Sequence, residues 1–349
     1  METMETSLPS GHLLQGPRHV YLLGACLGKG GFGITYRGQE MATGFPVAVK
    51  EYFPSLCKPV RMQDGSIVPS PQFQAAFAKG KNSFLNEAAM LKALDEIPSV
   101  VKILDFFSEN GTAYMVMEYL DGSTLRSRVE QSGPIPIQTL LPPMLSFIQD
   151  ISAMHQRGVL HRDIAPDNIM WMPDGSFKLL DFGCARAMED GRSMSVLLKP
   201  GFAPFEQYQT RGQGDYTDLY ALCATIYYCI TGLVPPQAPE RIFALHDGQP
   251  DPLPAPSKVG VRISPAWEAL LMWGLAADPH QRPKTVAQWL ERLEIVPPVP
   301  DDDPPLPDPD DDPHIVWPKK TDLSPLGFVI LGLCGAGGLA ILAFLIHLL

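Results

Sequence analysis

The 349 residues, 45% hydrophobic and 19% charged, carry enough apolar mass for a packed core and exclude a disordered chain. The formal charge of −11 is concentrated in seven aspartates between 301 and 312; without them the chain carries −4, which argues against a nucleic-acid surface and against a basic patch for anionic lipid. Six scattered cysteines, with no C-x-x-C pair and no zinc-like Cys/His cluster, fit a reducing compartment, and residues 1–15 lack a secretory pattern, so the bulk of the chain is expected in the cytosol.

In chain order, Tyr21 to Glu51 is strand-like: an apolar run, a glycine cluster, then Phe45-Pro-Val-Ala-Val-Lys50 closed by charge. Ser83 to Leu94 sets Phe84, Ala88, Leu91 and Leu94 on one helical stripe. Thr112 to Glu118, bounded by Asn110-Gly111 and Asp121-Gly122, reads as a buried strand. Beyond it the pattern turns helical, over 140–157, 219–231, 267–277 and 286–293. The reading is an α+β architecture: a small β-rich part over about 21–120 and a larger helical part over about 121–295, with a ligand cleft between them. Residues 1–20 stand apart as an N-terminal extension.

Residues 296–325 form a linker in which proline and aspartate dominate; it cannot bury enough apolar surface to fold, and at roughly 3 Å per residue its core extends on the order of 50 Å. Residues 326–349 contain no charge except His347, and as a helix they reach roughly 36 Å, enough to cross a lipid bilayer. Lys319 and Lys320 precede this span and favour a cytosolic N-terminal side. Gly332, Ala336 and Ala340 repeat at a spacing that lets two such helices pack as a homodimer.

The glycine cluster is Leu27-Gly28-Lys29-Gly30-Gly31-Phe32-Gly33, followed by more strand, Ile34-Thr-Tyr-Arg37. A dinucleotide site would need a helix there, so a β-hairpin lid over phosphates is expected. Glycines let backbone N–H groups approach phosphate oxygens without a Cβ in the way. Lys50, at a strand end, suits the α- and β-phosphates of ATP, and Glu87 on the next helix is its expected counter-charge.

His161-Arg-Asp163-Ile-Ala-Pro-Asp-Asn168 and Lys178-Leu-Leu-Asp181-Phe-Gly183 are the most specific signals. With them the sequence strongly resembles the protein kinases, and the wording Lys50-Glu-Tyr-Phe-Pro54, Gly201-Phe-Ala-Pro and Glu206-Gln-Tyr is similar to the eukaryotic-like serine/threonine kinases of bacteria. The resemblance runs from about Tyr21 to Leu293 and implies a bilobal kinase fold using ATP with Mg2+, Mn2+ being an alternative ion. It implies Asp163 as the acceptor of the substrate hydroxyl proton and Asn168 and Asp181 as metal ligands. It further implies Thr35 and Ala48 around adenine, Met117 at the back of that pocket, and the Glu118 to Leu120 backbone bonding the base. Ala203-Pro-Phe-Glu206 stands at the A-P-E position, with Arg282 as its partner, and Asp218 matches the aspartate that fixes the catalytic-loop backbone. The implied partners are proteins bearing Ser or Thr, the chain itself included. The implied membrane is the bacterial inner (plasma) membrane, with the kinase domain cytoplasmic.

The pattern breaks at Ala165, where serine/threonine kinases carry a lysine that touches the transferring phosphate. Losing that cation is worth roughly 10² to 10³ in rate, and it opens a second reading, a membrane-tethered pseudokinase that binds nucleotide or partners. Lys199, seven residues before Glu206, takes the place of a threonine that neighbours the missing lysine, and is expected to replace its charge as a catalytic residue. Residues 184–198 form the activation loop by position, with Ser193 and Ser195 as phosphorylation candidates and Arg162 as the receiving cation.

Overall fold

The computed structural model describes residues 6–181, 198–209 and 212–293. Six antiparallel strands form the N-terminal sheet in the order β1-β2-β3-β4-β8-β7. They are β1 (Leu13–Gln15), β2 (Val20–Lys29), β3 (Gly33–Glu40), β4 (Pro46–Tyr52), β7 (Ile103–Glu109) and β8 (Thr112–Glu118). Alternation sorts the side chains: on β4, Val47, Val49 and Glu51 are buried, while Ala48 and Lys50 are half-buried on the opposite face. The N-terminal extension joins this sheet, because Leu14 and Leu8 are buried in the core and β1 pairs with β2.

Between β4 and the helix that follows lies a hairpin of two short strands, β5 (Val60–Arg61) and β6 (Ile67–Val68). Helix α1 (Gln74–Lys92) begins nine residues earlier than the periodicity over 83–94 proposes, because Phe77 continues the buried stripe of Phe84, Ala88 and Leu91.

The helical part begins with β9 (Ser123–Thr124), α2 (Leu125–Ser132) and α3 (Ile137–Gln156). The Thr124 hydroxyl caps α2 by accepting from Ser127 N. Strands β10 (Ile169–Trp171) and β11 (Phe177–Leu179) flank the chemistry-bearing loops. Then come α4 (Phe205–Tyr208), α5 (Asp215–Thr231), α6 (Ala238–His246), α7 (Pro265–Gly274) and α8 (Val286–Leu293). Every residue of α5 from Thr217 to Thr231 is buried, as expected of a helix apolar on all sides at the centre of a domain. Its buried hydroxyls bond back into the helix, Thr225 Oγ1 to Ala221 O and Thr231 Oγ1 to Tyr227 O.

No helix among the described residues is long and apolar enough to cross a membrane. The span at 326–349, the linker at 296–325, Cys184 and the two loop serines, Ser193 and Ser195, lie outside the described residues.

Candidate active site

The glycine cluster is the turn of the β2–β3 hairpin, closed by Gly30 N donating to Gly33 O at 2.8 Å. Strand continues on both sides, as a phosphate lid requires and a dinucleotide fold does not. A Cβ at Gly28 or Gly31 would meet nothing within 4 Å, so their backbone is open to a ligand, whereas a Cβ on Gly33 would run into Glu51 O. Leu27 stands half exposed at the mouth of the hairpin.

Strand register builds the floor beneath the lid. Thr35 pairs with Lys50, and Ala48 with Met117. Paired residues share a face, so these four line the side of the sheet opposite the buried Val47, Val49 and Glu51. At the edge of this face, Glu118 Oε1 accepts from Lys178 Nζ and from Lys102 N, both at 2.9 Å, which fixes the connection that leads through Leu120 to α2.

Lys50 Nζ reaches Asp181 Oδ1 at 2.5 Å, joining the sheet to the helical part. The Lys50 charge holds the Asp181 carboxyl below the usual carboxylate range. Asp181 has φ 52°, a left-handed conformation uncommon outside glycine and typical of a residue held for function. Glu87 lies buried on α1.

Asp163 and Asn168 face each other across the catalytic loop: Asn168 Nδ2 donates to Asp163 Oδ2 and to Asp163 O, both at 2.8 Å. With the amide nitrogen so committed, the amide oxygen is the atom Asn168 can offer a cation. Asp218, fully buried at the start of α5, accepts from His161 N at 2.8 Å, Arg162 N at 2.7 Å and His155 Nε2 at 2.8 Å. These bonds hold Arg162 at φ 65° and set the direction of Asp163. Burial alone would raise the Asp218 carboxyl, but the His155 hydrogen bond and charge outweigh it and hold it low. Burial lowers the His161 pKa, its Nδ1 accepts from Asp163 N at 3.2 Å, and its Nε2 faces Leu180 O at 3.0 Å.

Ala165 is fully buried and brings no charge. Lys199 does: its Nζ lies 3.3 Å from Asp163 Oδ2, with the side chain 28% exposed. Its charge also contributes, after that of Lys50, to lowering the Asp181 carboxyl. The backbone holds it there, since Phe202 N and Ala203 N both donate to Lys199 O at 3.0 Å. Gly201 makes the turn at φ 84°, where a Cβ would strike Pro235 O. Downstream, Arg282 grips Glu206 through two bonds of 2.8 and 2.9 Å, and Gln207 Nε2 donates to Arg162 O at 2.7 Å. Residues 198–209 are thus tied to the catalytic loop at one end and to the domain core at the other.

Three participants were not read from the sequence. Arg126 on α2 forks onto Asp167 at 2.9 and 3.2 Å and stacks over Phe202 and Tyr228. Gln207 and His155 complete the loop's supports. His155 carried a signal, a polar side chain on the apolar stripe of α3, which has to find a buried partner.

A lid over an open backbone, a lysine bridged to an aspartate across the lobes, and an aspartate–asparagine pair held from the domain core define a phosphotransferase site of the protein kinase type. The chain belongs to the protein kinase family: the family model for the protein kinase domain matches residues 21–292. It is 31% identical to the serine/threonine-protein kinase PknB of Mycobacterium leprae over 278 residues, covering 77% of this chain and 41% of that protein. The same kinase from Mycolicibacterium smegmatis is 31% identical over 287 residues, covering 78% of this chain and 42% of the relative. A solved structure described as the PpkA-294 apo form superposes with a TM-score of 0.70 at 34% identity, covering 82% of this chain and 99% of its own. The bilobal fold and the resemblance to bacterial serine/threonine kinases are borne out, and the family's use of ATP with Mg2+ or Mn2+ comes with them. The chain spans about two fifths of the length of the curated relatives it matches.

Proposed function

We propose that the chain transfers the γ-phosphoryl group of ATP to serine and threonine hydroxyls of proteins, with Lys199 supplying the cation that Ala165 lacks. The observation that carries this is the 3.3 Å approach of Lys199 Nζ to Asp163 Oδ2. Asp163 orients the substrate hydroxyl and accepts its proton as the new O–P bond forms and ADP leaves. Lys50 holds the α- and β-phosphates, with Glu87 as its counter-charge, under the backbone of residues 27–33. Adenine lies between Thr35, Ala48 and Met117 and bonds to the Glu118 to Leu120 backbone. Asn168 and Asp181 would hold Mg2+ through their side-chain oxygens, and the ion would neutralise phosphate charge. Lys199, beside Asp163, stabilises the charge on the transferring group.

The test is phosphotransfer by the full chain with magnesium ATP and varied protein substrates. Lys199→Ala is expected to lose roughly 10² to 10³ in rate, as for one preorganised charge at a transition state, and adding Ala165→Lys to recover most of it. The pseudokinase reading, favoured by Ala165 alone, requires wild type to transfer no more than Asp163→Asn.

We further propose that residues 326–349 anchor the kinase domain to the cytoplasmic face of the inner membrane through the linker at 296–325. The apolar composition of the span and Lys319 and Lys320 before it support this. Pairing through Gly332, Ala336 and Ala340 would bring two copies together for autophosphorylation at Ser193 or Ser195. Release of the chain into the soluble fraction by alkaline extraction would overturn the anchor.

A further inference from the structure

Glu51 follows Lys50 but faces away from the cleft, and its side chain is fully buried. A carboxylate removed from water needs compensation, and four donors converge on it. Arg61 Nη1 and Nη2 lie at 3.1 and 2.5 Å, and the hydroxyls of Tyr36 and Tyr114 at 2.8 Å each. Burial pushes both tyrosine hydroxyls far above their ordinary pKa, so they remain protonated donors. The donors come from β3, the β5–β6 hairpin and β8. The N-terminal residues close the frame: Arg61 Nε donates to Thr6 O at 2.8 Å, and Leu8 N to Tyr36 Oη at 3.0 Å.

This frame touches the lid twice. Just past Glu51, Phe53 N donates to Phe32 O at 3.0 Å, and Ser55 N and Oγ donate to Gly31 O at 2.9 and 3.1 Å. From the other side, Lys29 Nζ donates to Thr6 Oγ1 at 3.0 Å. The tip of a glycine-rich hairpin has little stiffness of its own. Here its carbonyls are held by a segment that a buried ion pair fixes.

We propose that Glu51 and Arg61 are positioning residues of the nucleotide site: their pair locks β4, the hairpin and residues 6–8 into one frame, which sets the height of the phosphate lid through Phe53 and Ser55. The inference rests on the kinase reading in taking the lid to bind ATP. A network that merely stabilised the core would leave nucleotide affinity unchanged in any variant that folds.

The decisive variant is Ser55→Pro in the full chain. It removes both Ser55 donors to Gly31 O and leaves the Glu51–Arg61 pair intact. Ser55 opens a short 3₁₀ turn, where proline is tolerated, and Pro54 at φ −73°, ψ 113° already has the conformation that precedes proline. The Kd of a fluorescent ADP analogue with Mg2+ and the KM for ATP are expected to rise about five- to tenfold, the worth of one or two hydrogen bonds. The kcat stays within about twofold and the thermal midpoint is unchanged. Arg61→Lys, which keeps the charge but loses the fork and the Thr6 bond, is expected to weaken nucleotide in the same direction, and the two substitutions together to add little. If Arg61→Lys does not fold, Tyr114→Phe, which removes one donor to Glu51, takes its place and is expected to weaken nucleotide in the same direction; unchanged affinity in that folded variant overturns the role of the pair. A folded Ser55→Pro that binds nucleotide as tightly as wild type overturns this inference while the kinase reading stands; a wild-type chain that binds no nucleotide overturns both.

Discussion

Two buried arginine–carboxylate pairs support the site from opposite sides, and they are built differently. In the helical part, Glu206 receives Arg282 and the Thr217 hydroxyl, and Arg282 spends its remaining donors on the carbonyls of Ala276, Ala277 and Tyr216. In the sheet, Glu51 receives Arg61 and two tyrosine hydroxyls. The first carboxylate depends mainly on one cation, whereas the second is solvated by neutral donors as well. A buried charge with several partners survives the loss of one better than a charge with a single strong partner.

Arg282→Met should break the first pair at a cost of about 3 to 5 kcal/mol, because Glu206 is left charged and buried with one hydroxyl. Arg61→Met should cost less, about 2 to 3 kcal/mol, since the tyrosines still donate to Glu51. Urea unfolding of the two variants in parallel measures the difference, and equal losses would contradict the comparison.

The two histidines beside Asp218 separate the same principle by pH. Burial lowers the His155 pKa, but the Asp218 hydrogen bond and charge raise it overall, above the ordinary histidine value. Its contribution is therefore complete below the unfolded value and is lost as pH rises through the folded one. His161 is lowered by burial, so its neutral form is favoured and stability falls as pH drops below 6.5 towards its folded pKa. Unfolding free energy followed across pH 5 to 9 should lose its alkaline decline in His155→Gln and keep its acid decline.

The smallest expected effect lies at the rim. Arg126 and Asp167 are partly exposed, 25% and 44%, so Arg126→Lys should cost about 1 kcal/mol or less of stability. Its loss of stacking on Tyr228 and Phe202 would appear first as a small fall in thermal midpoint. A fall as large as that of Arg61→Met would place Arg126 among the principal supports.

These regions also differ in how they appear in the sequence. Asp163, Asn168 and Asp181 lie in short motifs whose order and spacing specify the chemistry, and Lys199 follows by counting back from Glu206. Asp218 and Arg282 were legible in the same way. In the sequence Glu51 reads only as part of the charge that ends a strand, although alternation puts it with Val47 and Val49 on one face of β4. The β5–β6 hairpin has two-residue strands, too short for any period to register. Helix α2 carries only Leu125 and Val129 as apolar residues, and α6 leaves Phe243 and Leu245 exposed, so neither presents a clear buried stripe.

The place of Lys199 has one more consequence. A cation on residue 165 would belong to the catalytic loop and stay with Asp163 whatever neighbouring chain did. A cation on residue 199 belongs to the stretch that runs on to Glu206, held by Arg282, so under the proposed role the integrity of that stretch and the charge at the reacting phosphate would be inherited together. If Lys199 has the proposed role, the residue two positions after the catalytic aspartate is not enough to tell whether a kinase of this pattern transfers phosphate.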